Sequence, residues 1–252
     1  MKPGGDIVLS AKGLTRRFGG LIAVDNVSLE LLRGTVHAVI GTNGAGKSTL
    51  IHMLSGELGV SSGRIHLHGI DVTRWPQARR ARAGIGRSYQ HTTVFAGFSV
   101  LENCRIAAQA RRQRPWAWWA DASRCEFSIE AARQAAIRAG LGDVLARAAG
   151  ALSHGQRRQL EIAMCLATDP EVLLLDEPLA GMGSEETERM LALLDELRAG
   201  HAIALIEHDM DAVFRIADRI TVMVNGAVLA SGSPSAVRSS AEVQSAYLGE
   251  SS

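Results

Sequence analysis

The stretch GTNGAGKST, residues 41–49, decides how this chain folds. Before it comes TVHAVI (35–40), a mostly apolar run that reads as a buried strand. After it a helix is predicted from Lys47 to about Ser55. The glycines let the backbone wrap an anion without Cβ clashes. Successive N–H groups of such a turn converge on phosphate oxygens, and the helix start adds partial positive charge. The spacing G-x-x-x-x-G-K-[ST] between strand and helix is that of a nucleotide phosphate loop. The residues expected around the nucleotide are Gly41, Asn43, Gly44, Ala45, Gly46, Lys47, Ser48 and Thr49. Lys47 is placed to reach the β- and γ-phosphates, the Ser48 hydroxyl to ligate Mg²⁺, and Thr49 to meet a more distal part of the phosphate chain.

Such a loop needs acids, and LLLDEP (173–178) supplies them. An apolar strand ending in Asp puts that carboxylate on the carboxyl edge of a parallel sheet, where the phosphate loop also sits. Asp176 is expected to hold Mg²⁺, directly or through water. Glu177 follows it and points elsewhere. Two adjacent acids near a metal suggest a division of labour, with Glu177 orienting and deprotonating an attacking water. These features define a Mg-nucleotide hydrolase or a kinase without choosing between them.

The rest of the chain builds the frame. Residues 7–40 read as strands, with VSLEL (27–31) alternating. RIHLHGIDV (64–72) reads as strand and turn, and IGRSYQ (85–90) as a further strand. Residues 99–148 are rich in Ala, Arg and Glu at helical spacing and form a candidate helical insert. A helix from Ser153 stops at Asp169-Pro170. Then come a strand at 171–175, a helix at 184–199, a strand at 202–206, a helix at 209–217 and a hairpin turning at Asn225-Gly226. Alternating strands and helices imply an α/β fold with a mostly parallel sheet covered on both faces. At 252 residues this is one large domain with an inserted subdomain. A net charge of +1 gives no reason to expect nucleic-acid binding. Three scattered cysteines with no CxxC or zinc spacing suit a reducing compartment. No segment reads as membrane-spanning, so action on a membrane would need a partner.

One helix start is unusual. LSHGQRRQLEIA (152–163) has Ser153 at the N-cap of an apolar-periodic run, a second anion-ready end far from the phosphate loop. The set GTNGAGKST, LSHGQ, LLLDEP and LIEHD resembles the ATP-binding cassette (ABC) family, over about residues 7–249. LSHGQ looks like that family's signature motif, with His154 where glycine is usual. The resemblance implies a P-loop ATPase core with an N-terminal antiparallel β region and an inserted helical subdomain. It divides the single domain 1–252 into a core of 7–90 and 153–230, a helical subdomain of 91–152 with the signature at its end, and a tail of 231–252. It implies ATP and Mg²⁺ as ligands, with ATP hydrolysed to ADP and phosphate.

More residues carry over by position. Phe18 resembles the aromatic on which adenine stacks. Gln90 resembles the glutamine that touches Mg²⁺ or the attacking water, and His208 the histidine near the γ-phosphate. Ser153, Gly155 and Gln156 are implied to cap the γ-phosphate bound by a partner chain. Where the family commonly has an aspartate after DEP, this chain has Gly183 in LAGMGS. His154 is read as a tolerated substitution on an exposed turn; the alternative is that its imidazole lies close enough to the partner's phosphates for its charge to matter.

Within the family the chain is similar to importers of branched-chain and related amino acids. LSHGQRRQLEIAMCLATDPEVLLLDEP, IEHDMDAVF and VQSAYLGE carry that likeness. GMGSEET (181–187) also resembles urea and amide importers, and the YLGE ending is shared with lipopolysaccharide-export ATPases. The implied partners are a second cassette, identical or paralogous, and transmembrane permease subunits. A periplasmic binding protein is reached only indirectly, and no nucleic acid is involved. The implied location is peripheral, on the cytoplasmic face of the inner membrane. Val94, Phe95 and Phe98 are candidates for docking a permease helix, and Trp116, Trp118 and Trp119 for the helical insert or a membrane surface. A soluble ABC protein of DNA repair or translation would be expected to carry two cassettes or a long coiled coil. A P-loop kinase would have no use for LSHGQ.

Overall fold

Residues 7–41 form three strands that belong to two sheets. In the computed structural model, which describes residues 6–89, 94–111 and 125–248, β1 (Ile7–Phe18) and β2 (Leu21–Leu32) pair antiparallel. β3 (Val36–Gly41) is buried at every position and enters the second sheet. The helix predicted after the glycine loop is α1 (Lys47–Ser55). RIHLHGIDV folds into β4 (Ser62–Leu67) and β5 (Ile70–Asp71), and the first sheet runs β2-β1-β4-β5.

α2 (Gln77–Arg82) was not predicted. Its sequence QARRAR shows no apolar stripe, and a tertiary contact makes up the difference. Arg80 is 1% exposed. Its guanidinium donates to the carbonyls of Met53 (2.7 Å), Leu54 (2.8 Å), Thr73 (2.9 Å) and Trp75 (3.2 Å). It thereby satisfies the last carbonyls of α1, which the helix itself cannot. Burial pulls the Arg80 pKa down to about 10. The predicted strand 85–90 is shorter than expected. β6 (Ile85–Arg87) ends where Ser88 Oγ accepts from the Asp176 N–H at 3.1 Å, so a side chain takes over from the ladder.

The insert contributes α3 (Val100–Arg111) and α4 (Glu126–Arg138), followed by single 3₁₀ turns at Gly142–Val144 and Ala149–Ala151. Trp116, Trp118 and Trp119 lie outside the described residues. Then come α5 (His154–Ala167), β7 (Val172–Asp176), α6 (Ser184–Arg198), β8 (Ala202–Ile206), α7 (Met210–Ile216), β9 (Arg219–Val224) and β10 (Ala227–Gly232). The second sheet runs β10-β9-β3-β8-β7-β6, parallel except for β10.

Its two faces are legible residue by residue. Val172 and Leu174 of β7 and Ala202, Ala204 and Ile206 of β8 pack in one core with Leu50, Ile51 and Leu54 of α1 and the first sheet. Leu173, Leu175, Ile203 and Leu205 face the other way, into a core with α3 to α6. The period of two sends alternate side chains to opposite faces, and each buried Leu or Ile contributes about 1.5–3 kcal/mol. α1 is thus held between the two sheets, with its first residue, Lys47, at the carboxyl end of β3.

Residues expected to trail from the hairpin as a tail instead form α8 (Pro234–Arg238) and α9 (Ala241–Leu248). Ser233 caps α8 by accepting from the Ala236 N–H, with Pro234 at the first helical position. Val237 and Val243 join a third core with Ala38, Ile40 and Val213.

Candidate nucleotide site

The phosphate loop is shaped by close backbone approach. Gly46 has φ +94°, and a Cβ there would lie 2.2 Å from the Ala23 carbonyl oxygen of β2. Only glycine fits both the conformation and the gap. The loop is also held from the far end of the chain. The Gly226 N–H donates to the Ala45 carbonyl (3.1 Å), and the Gly226 carbonyl accepts from the Asp25 N–H (2.8 Å). The Asn225-Gly226 hairpin tip therefore joins the loop to β2.

Lys47 is 8% exposed. Its Nζ donates to the carbonyls of Gly41 (2.7 Å) and Thr42 (3.0 Å), so the ammonium lies inside the loop. Burial lowers its pKa, while the negative charges of Glu177 and Asp176 act in the opposite sense. That coupling gathers Lys47 and both acids into one electrostatic neighbourhood. Asn43 and Gly44 are exposed on the loop, while Ser48 and Thr49 are half-buried in the first turn of α1.

Asp176 ends β7 and is 2% exposed. Its Oδ2 lies 4.0 Å from an Arg87 nitrogen. Its Oδ1 is buried with no hydrogen-bond partner among the described residues. Burial raises its pKa, Arg87 opposes, and neighbouring Glu177 adds to the rise. An unpartnered buried carboxylate oxygen near a hydroxyl-bearing helix start is what a hard divalent cation requires, so the residues present fit Mg²⁺. Glu177 is half-buried and adopts φ +50°, rare for a residue with a Cβ. Its N–H donates to the Ile206 carbonyl (3.0 Å), which holds this backbone against β8. Strain of this kind collects at sites where a side chain must be aimed.

The sequence pattern picked out His208 and passed over its neighbour. Glu207 is fully buried. Its carboxylate accepts from the N–H of Leu179 (2.8 Å) and the N–H of His208 (3.2 Å), tying the segment after the acid pair to the end of β8. The His208 side chain is 63% exposed, with Nδ1 3.9 Å from Glu207 Oε2. Burial raises the Glu207 pKa, and its two backbone donors oppose. Phe18 ends β1, 45% exposed, with the Arg16 guanidinium 4.6 Å from its ring centroid. Gln90 lies outside the described residues.

The signature residues form a second place. Ser153 caps α5: its Oγ accepts from the Gln156 N–H (3.2 Å), and Gln156 Oε1 accepts from the Ser153 N–H (3.2 Å). The sequence marks Ser153 as the N-cap, and the return bond from Gln156 completes a reciprocal capping box. Ser153, Gly155 and Gln156 line a cleft with Met182 and Glu186, and no phosphate-loop residue lines it. His154 is exposed, but its Nε2 lies 3.0 Å from the Ala180 carbonyl of its own chain. Glu186 Oε1 accepts from Ser153 Oγ (3.2 Å) and the Gly155 N–H (3.3 Å).

Sequence comparison agrees with this geometry. The ABC transporter family model matches residues 24–180, and a model for branched-chain amino acid ATP-binding cassette transporters matches residues 227–252. The chain is 41% identical, over 96% of its length and 98% of the relative's, to the high-affinity branched-chain amino acid transport ATP-binding protein LivG of Escherichia coli (strain K12). It is 38% identical, over 96% and 98%, to the corresponding protein BraF of Pseudomonas aeruginosa. A nucleotide-free ATP-binding cassette from an ABC transporter superposes with a TM-score of 0.87 at 30% identity, covering 96% of this chain and 99% of that one. The ADP conformation of an ATP-binding cassette superposes with a TM-score of 0.86 at 31% identity, covering 97% and 99%. With phosphate loop, acid pair and signature helix all in place, the chain belongs to the ATP-binding cassette family, as an ATP-hydrolysing subunit of an ABC transporter.

Proposed function

We propose that this chain powers import of branched-chain or closely related amino acids through separate transmembrane permease subunits. It would work from the cytoplasmic face of the inner membrane, with a periplasmic binding protein delivering the cargo. No helix among the described residues is long and apolar enough to cross a membrane. The cargo assignment is supported by the family match at residues 227–252 and by LivG and BraF. A second reading, a urea or amide importer, draws on GMGSEET at 181–187. Uptake of leucine against urea by vesicles holding the whole transporter separates the two.

The observation that carries the mechanism is buried Asp176, with an unpartnered oxygen, in the electrostatic neighbourhood of Lys47. Lys47 and the loop N–H groups bind the phosphates, and Phe18 stacks the adenine on the ring face opposite Arg16. Asp176, Ser48 and Gln90 would hold Mg²⁺, which neutralises phosphate charge when bound. Glu177 takes the proton of the attacking water, and His208 contacts the terminal phosphate. Ser153, Gly155 and Gln156 complete the site of a second cassette, a copy or a paralogue, in a head-to-tail dimer. Residues 91–152 act as the helical subdomain that receives the permease, with Phe95 and Phe98 exposed on it.

The test is Glu177→Gln, which should bind ATP, lose most turnover and accumulate a closed dimer. Full activity would remove Glu177 as the base. Mixing Ser153→Ala with Lys47→Ala chains tests the composite site, since such a mixed dimer keeps at most one intact site. If Ser153→Ala impaired only its own chain's nucleotide, capping across the dimer would be wrong.

A further inference from the structure

The donors at the start of α5 are already engaged. Glu186 Oε1 sits 3.2 Å from Ser153 Oγ and 3.3 Å from the Gly155 nitrogen. The fit is close: a Cβ added at Gly155 would lie 2.7 Å from the Glu186 carboxyl carbon. A carboxylate therefore occupies the two donors that the head-to-tail reading assigns to the partner's terminal phosphate. Two anions cannot share them without strong like-charge repulsion.

Glu186 also has a second place to go. It stands at the third position of α6, whose N-cap, Gly183, contributes no side-chain cap. A glutamate at that position can reach back to the N–H of its own N-cap, the arrangement Gln156 makes in α5. The carboxylate thus has two helix starts within its reach: its neighbour's, where it lies, and its own.

We propose that Glu186 is an internal anion that holds the signature donors in the open chain and is displaced onto the start of α6 when the partner's terminal phosphate arrives. It sets how much ATP is needed to close the dimer. The proposal rests on head-to-tail closure, and it gives GMGSEET a purpose: the acid matters because it competes.

The experiment compares Glu186→Ala and Glu186→Gln in a Glu177→Gln background, where bound ATP is not consumed. Light scattering follows dimer formation between copies of this chain as ATP is raised. Both variants should reach half-closure at about two- to fivefold less ATP, the effect of one charge at a helix end. Glu186→Gln keeps an acceptor for Ser153 and Gly155 without the charge, so it guards against misfolding of the alanine variant. ATP affinity at protein concentrations too low for association should not change. An unchanged or raised closure midpoint, or a shift seen equally in the monomer, overturns the proposal. If the Glu177→Gln parent forms no ATP-dependent dimer, head-to-tail closure of this chain itself fails, and the proposal with it.

Discussion

His154 Nε2 donates to the carbonyl oxygen of Ala180 across 3.0 Å. A carbonyl only accepts, so the proton on Nε2 is fixed by the fold, and the ring braces the signature helix against the loop after β7. Gly181 is crowded by the same ring: a Cβ there would meet Nε2 at 3.2 Å, on a backbone with φ +75°. His154→Gly should lower the melting temperature by roughly 1–6 °C, the effect of one lost hydrogen bond. The pH profile of ATPase activity should keep its shape between about pH 6 and 8. A changed profile would show that the imidazole meets phosphate.

Gly46→Ala should disable the loop from behind. The new methyl group would lie 2.2 Å from the Ala23 carbonyl oxygen, so the loop must leave β2. Strain of about 1–3 kcal/mol corresponds to roughly a five- to 150-fold loss of nucleotide affinity. Titration with a fluorescent ATP analogue checks this, and affinity within twofold of the parent would contradict the close approach.

Glu207→Ala should cost both stability and turnover. It strands the buried N–H of Leu179 and frees the half-buried N–H of His208, at about 1–3 kcal/mol for the first and so at least about 2 °C of melting temperature. ATPase activity should fall at least about tenfold, because Glu177 and His208 both neighbour the freed segments. Glu207→Gln keeps one acceptor oxygen and should lie between parent and alanine variant in both measurements.

A buried histidine should make stability depend on pH. His37 is 2% exposed, its Nδ1 donates to the Glu30 carbonyl (2.9 Å), and its Nε2 meets Thr221 Oγ1 (2.8 Å). Burial lowers its pKa below the usual 6.5. Below that pH the unfolded chain takes up a proton that the folded chain refuses, so stability falls as pH drops. His37→Asn should be less stable at neutral pH but lose stability less steeply from about pH 6.5 to 5. Equal slopes in chemical denaturation would exclude His37 as the source.

The parts of this fold that sequence made legible are those written in local pattern. The strand–glycine–helix unit at 35–55, the apolar strands β7 and β8, and the Ser153 cap each announce themselves within a few residues. α2 does not, because QARRAR has no apolar face and its fixed point is Arg80, bonded to carbonyls more than twenty residues earlier. Glu207 was hidden for a related reason. In IEHD the histidine draws notice, and nothing local shows that the acid is buried against Leu179. Glu186 was read only as part of a family likeness, since its meaning depends on α5 lying beside it. For His154, the pattern gave its place on the turn and the structure its direction, toward its own chain.

The hydrogen bond from Gly226 to Ala45 has a consequence for how the protein is made. Lys47 leaves the ribosome first, and the residue that fastens its loop follows about 180 residues later. At about 5–20 residues per second, the delay is on the order of ten seconds or more. A nascent chain carries the whole phosphate motif through that interval without the hairpin tip that clasps it. Binding of ATP in its finished form therefore waits for the hairpin, and a chain cut short before Gly226 keeps the motif without its clasp.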